Sequence, residues 1–119
     1  MNKQYITILA LMTLCSMHPV WAHHSAAQYD FQKSATIEGV VVEVRFSNPH
    51  LKLVLTVTDE QGTRNVTYEG HSRNNLYRRG WRPNMVKVGD RITITIATPR
   101  SGGDGGYVLS LKSADGKEF

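Results

Sequence analysis

The sequence has little with which to brace itself covalently: one cysteine, Cys15, and four prolines in 119 residues. A lone thiol forms no internal disulfide, so the fold must stand on its hydrophobic core, and paired-thiolate metal sites are excluded. No apolar run reaches the roughly 20 residues that a membrane-crossing helix needs. Acids are scarcer than bases, 10 against 14, for a formal net charge of +4. That balance is mildly basic and falls short of a nucleic-acid signature. No Ser or Cys nucleophile pattern and no isolated pair of carboxylates is present; Asp59-Glu60 sits in a turn. The pattern points away from an enzyme.

Residues 1–22 read as a secretory leader. Lys3 gives a positive start, and Tyr5 to Cys15 is an apolar run of about eleven residues, within signal-peptide range. His18 and Pro19 break it, and Val20 and Ala22 occupy the −3 and −1 positions of a small-residue cleavage site. Cutting after Ala22 removes Lys3 and Cys15 and begins the mature chain at His23. A cut after Ala27 is the alternative and would discard both His23 and His24. Either predicts a periplasmic or secreted protein with no transmembrane segment after cleavage, for which nucleic acid is not an expected partner.

Residues 23–35 lack periodicity and read as an extended arm, with a single domain over 36–119. Val40, Val42, Val44 and Phe46 alternate with polar residues, the period-two signature of a half-buried strand. Leu51, Leu53, Leu55 and Val57 make a second strand, and Val66 and Tyr68 mark a third. Ser72 is placed as a helix N-cap and Gly80 as the matching C-terminal glycine. Ile92, Ile94 and Ile96 form a fourth strand; Tyr107, Leu109 and Leu111 form a fifth. The order β-β-β-α-β-β predicts an all-β fold with one short helix, a small five-stranded OB-like Greek-key barrel.

The second and third strands also fix a register. With a turn at 59–62, Thr58 opposes Thr63, Leu55 opposes Val66 and Leu53 opposes Tyr68. Lys52 then opposes Glu69 as a cross-strand ion pair. A slip of one residue would send every side chain to the wrong face. Carried outward, the same register sets His50 opposite His71.

Those imidazoles, with His23 and His24, are the candidate metal ligands. A nitrogen-rich set without sulfur suits Cu(II), and an N-terminal His23 chelates through its amine and its ring, in the manner of a histidine brace. A copper-binding protein is the first functional expectation. The second is a non-metal binding module for a cell-envelope glycan, an anionic lipid or a protein. It would use Arg73, Tyr77, Arg78, Arg79, Trp81 and Arg82, because arginines interleaved with aromatics hold anions and stack on rings. The plainer alternative packs Leu76 and Trp81 against the barrel and leaves the arginines solvated.

Ala22-His23-His24-Ser25, Tyr29-Asp30, Ser47-Asn48-Pro49-His50, Tyr68-Glu69-Gly70, Arg78-Arg79-Gly80-Trp81 and Val88-Gly89-Asp90 together resemble a family of small exported bacterial proteins classed as a domain of unknown function. The resemblance implies export and a compact β-fold, and no activity. His23, His24 and His50 match its pattern. His71 departs from it, which favours His23 with His50 over any site that requires His71.

Overall fold

The computed structural model describes residues 26–119. Its elements run β1 (Tyr29–Arg45), β2 (Lys52–Asp59), β3 (Gly62–Glu69), α1 (Arg73–Arg78), a 3-10 turn at Pro83–Met85, β4 (Arg91–Pro99) and β5 (Tyr107–Lys112). The residues 1–22 read as a leader, and His23 and His24, lie outside the described part.

The β2–β3 hairpin has the register derived from polarity, with Lys52 against Glu69, Leu55 against Val66 and Thr58 against Thr63. Leu53 and Leu55 are fully buried beside Val57, Val66 and Tyr68, and Ile92, Ile94 and Ile96 of β4 meet them across the core. Lys52 Nζ reaches Glu43 on the neighbouring strand, 3.1 Å away, while the Glu69 carboxylate acts on the Tyr29 phenol and helps to raise it.

β1 departs furthest from its periodicity. It begins at Tyr29, inside the segment read as an arm, and its first part pairs with β4 while Val40 to Arg45 pair with β2. A bulge between Val41 and Glu43 inserts a residue, so Val41 is buried and Val42 faces outward. A bulge re-aims the side chains beyond it, so Val41 points inward before it while Val44 and Phe46 pack against the core after it, and of the expected face only Val40 and Val42 are displaced.

The pairing closes the five strands into a small barrel with one short helix, and the sheet is mixed because β3 and β5 run parallel. Neighbours follow the order β1-β2-β3-β5-β4, with β4 returning to β1. The remaining side, β3 against β5, is parallel and consists of one residue pair, Glu69 with Tyr107. It is reinforced by the Glu69 amide donating to the Gly106 carbonyl at 3.0 Å. Gly106 is required there: an added Cβ would lie 2.5 Å from Ile96 Cδ1 and 3.0 Å from the Ala97 carbonyl oxygen.

The helix is capped as predicted, the Asn75 amide donating to Ser72 Oγ at 3.2 Å. Gly80 follows it at φ +93. Leu76 and Trp81 are buried, and the indole meets the rings of Phe46 and Phe119 edge-on. The helix thus plugs one end of the sheet through its apolar side and leaves its arginines outside.

Candidate functional site

Tyr107 organises the first cluster. It sits outside the main core, in a small group with Tyr29 and Ala97, and four rings surround it. Tyr29 lies 5.7 Å away between centroids, Phe31 5.3 Å, His71 5.3 Å and His50 6.5 Å. The Tyr107 hydroxyl is 3.1 Å from His71 Nδ1. Burial pushes the phenol above its ordinary range. Burial first, then the positive Arg79 and the neighbouring His50, hold His71 below its usual value. The contact is therefore a hydrogen bond between two neutral groups at neutral pH. Tyr29 is raised to about 12, chiefly by burial and then by the Glu69 carboxylate.

The hairpin register does not continue to the histidines. Gly70 donates to the Leu51 carbonyl at 3.1 Å, while the Leu51 amide donates to the His71 carbonyl at 2.9 Å. Two residues thus oppose one, the ladder slips, and His50 and His71 are not a directly facing pair. They meet around Tyr107 instead. His50 Nδ1 lies 3.2 Å from the Gly70 carbonyl, which only accepts, so Nδ1 carries the ring hydrogen. The loop is fixed further by Ser47 Oγ donating to the His50 carbonyl at 2.7 Å.

No group of three His, Cys, Asp or Glu side chains is placed to hold a metal among the described residues. The copper reading is corrected on that ground. His50 and His71 each use Nδ1 in a local hydrogen bond, and His23 and His24 lie outside the described residues.

The second cluster is the helix surface. Arg73, Tyr77, Arg78, Arg79 and Arg82 are exposed, but Trp81 is only 4% exposed and so offers no ring to a ligand. The envelope-module reading built on an Arg/Trp face is corrected accordingly. Arg82 is spent on the fold, donating to the Trp81 and Tyr77 carbonyls at 2.7 and 3.0 Å and lying over the Tyr77 ring. Arg78 reaches only the Asn75 side chain, at 3.3 Å.

Every other described arginine finds an acid: Arg45 finds Glu43, Arg64 finds Asp59 and Asp104, Arg91 finds Glu38 and Arg100 finds Asp30. Among the described residues Arg73, Arg78, Arg79 and Arg82 take part in no ion pair. The cause is written in the chain, since no Asp or Glu occurs between Glu69 and Asp90. That run was the available sequence signal, and it is more informative than the arginine–tryptophan pattern. Arg79 also ties the two clusters together, because its charge acts on both His71 and Tyr107.

A third feature is an open groove of about 920 Å³ between the first half of β1, the β2–β3 turn and the loop before β5. Ile37, Val57 and Ile96 line it, and none of the sequence-predicted site residues does. Its rim charges largely satisfy one another. Arg64 binds Asp104 at 2.7 Å and Asp59 at 2.8 Å, and these contacts hold both carboxyls below their ordinary range. Lys33 and Glu60, of opposite sign, complete the rim without an ion pair among the described residues.

The family model described as "Family of unknown function (DUF6152)" matches residues 11–108. A search of curated proteins finds no match. Among solved structures, the chain is similar to the mitochondrial single-stranded DNA binding protein Rim1 of S. cerevisiae, with a TM-score of 0.51 and 10% identity, covering 69% of this chain and 93% of that one. At that identity the likeness is one of fold.

Proposed function

We propose, for a chain that belongs to the family of unknown function DUF6152, that it is a non-catalytic binding module for a linear polyanion. One observation carries the reading: Arg73, Arg78 and Arg79 project from one short helix and its end with no acidic partner among the described residues. Guanidinium groups left in this state attract phosphate or carboxylate groups and bind them in a forked geometry. The fold supports the reading without deciding it. The similar yeast protein is named for binding single-stranded DNA, and β-folds of this size combine a basic surface with exposed rings for such ligands.

The test is titration of the protein with fluorescent oligothymidylate and with inorganic polyphosphate at several salt concentrations. Affinity should fall as salt rises, because each neutralised phosphate releases a counterion. The double variant Arg78→Ala/Arg79→Ala should bind several-fold more weakly and show a salt slope smaller by about 1–2. Salt-independent affinity, or equal affinity in the variant, overturns the reading.

We also infer from the composition of residues 1–22 that the protein works in the periplasm or outside the cell. Intact mass of protein recovered from an expressing bacterium's envelope fraction should correspond to a first residue of His23. A full-length mass, with the protein found in the cytoplasm, refutes this.

No helix among the described residues is long and apolar enough to cross a membrane.

A further inference from the structure

Phe31 is half exposed, at 50%, although apolar rings normally seek the core. Its position follows from a large irregularity in β1. Asp30 pairs with Thr98 and Ser34 with Ala97, so β1 advances four residues while β4 advances one. Residues 31–33 are lifted off the ladder. The lifted segment is held by local bonds, the Gln32 amide donating to Asp30 Oδ1 at 3.1 Å and Thr98 Oγ1 donating to the Lys33 carbonyl at 3.4 Å. Insertions of this kind re-aim side chains and concentrate beside functional sites. Here the side chain re-aimed is Phe31, which is set at 64° against the Tyr107 ring.

Tyr107 backs Phe31 on one side and touches His71 and His50 on the other. The Arg79 charge acts on Tyr107 and His71. Phe31, Tyr107 and the two imidazoles therefore form one cluster of rings, with Arg79 near enough for its charge to act on it. Lys33, exposed in the same lifted segment, adds another cation with no ion pair among the described residues.

We infer that Phe31 is a stacking platform, and that the polyanion bound by this surface carries flat rings spaced along its backbone, as a single-stranded nucleic acid does. The inference rests on the anion reading above. Arginines alone do not distinguish one polyanion from another; a half-exposed ring supported from behind does, because it gains contact only from a ligand that has a face to lay on it. Stacking of this kind tolerates any base, so the surface discriminates ringed from ringless polyanions rather than one sequence from another.

The experiment compares oligothymidylate with inorganic polyphosphate, which has the charge and no rings. Phe31→Ala should weaken oligothymidylate binding about tenfold and leave polyphosphate binding unchanged, while Phe31→Trp should retain both. Because Phe31 is half exposed, the variants should keep the thermal midpoint of the parent. If both polymers bind and Phe31→Ala changes neither, the platform is refuted and the anion reading stands. If neither polymer binds, the anion reading falls and takes the platform with it. Equal weakening of both polymers by Phe31→Ala would mean that the residue acts through the fold, which also refutes stacking. Polygalacturonate binding in place of oligothymidylate, with the same dependence on Phe31, overturns the assignment to flat rings.

Discussion

At the scale of single residues, His71 is the group most exposed to pH. Burial, the positive charge of Arg79 and the nearby His50 hold it below 6.5. The unfolded chain therefore takes up a proton at a higher pH than the folded one does. A group of this kind contributes stability that is complete above the unfolded value and is lost as pH falls through the folded one. Stability should thus be level above about pH 6.5 and decline below it. At the other end, Tyr29 and Tyr68 are raised to about 12, mainly by burial. Unfolded phenols ionise near pH 10 while the folded ones remain protonated, so stability should fall again above that point. Urea denaturation at successive pH values checks both limbs. In His71→Asn the decline that sets in below about pH 6.5 should flatten, and an unchanged decline would place its origin elsewhere.

At the scale of elements, how much the sequence discloses depends on whether a residue count is interrupted. β2 and β3 have no insertion between Lys52–Glu69 and Asp59–Gly62, so matching polarity across the turn recovers every pair. The helix is equally legible because its ends have chemical signatures, a Ser72 oxygen for an early amide and Gly80 after the last turn. β1 is not, because it carries extra residues at two places, and a period of two cannot reveal where a bulge will fall. The same limit separates the expected His50–His71 pair from the observed one. One extra residue at Gly70–His71 turns a facing pair into two neighbours of Tyr107. Trp81 misleads for another reason. Its flanking arginines are polar, but the indole is drawn inward by Phe46 and Phe119, one of them from the last residue of the chain, and local pattern contains no trace of a contact so distant in sequence.

At the scale of the whole molecule, the sides of the ring are unequally made. β1 is zipped to β4 and β2 to β3 over most of their lengths, whereas β3 meets β5 through a single parallel pair. What spans the rest of that side is Arg64, whose guanidinium joins Asp59 of the hairpin end to Asp104 of the loop before β5. Regions with few backbone bonds open at lower free energy than the core strands. The Glu69 amide, bonded across the seam to Gly106, should accordingly exchange its hydrogen faster than the amides of Leu55 and Val66, which lie in the continuous hairpin. Arg64→Ala removes the tie without touching the core, since its carboxylate partners are exposed. It should speed exchange at Glu69 and in residues 104–107 while leaving Leu55 and Val66 unchanged. Hydrogen exchange followed by NMR decides the matter. Equal protection at Glu69 and Leu55 would show that the ring opens only by global unfolding. The same mechanics bear on binding, because Tyr107 begins β5 at this seam and supports Phe31 from behind. A variant that loosens the seam should therefore weaken the ring-dependent part of oligothymidylate affinity and spare the part due to the arginines.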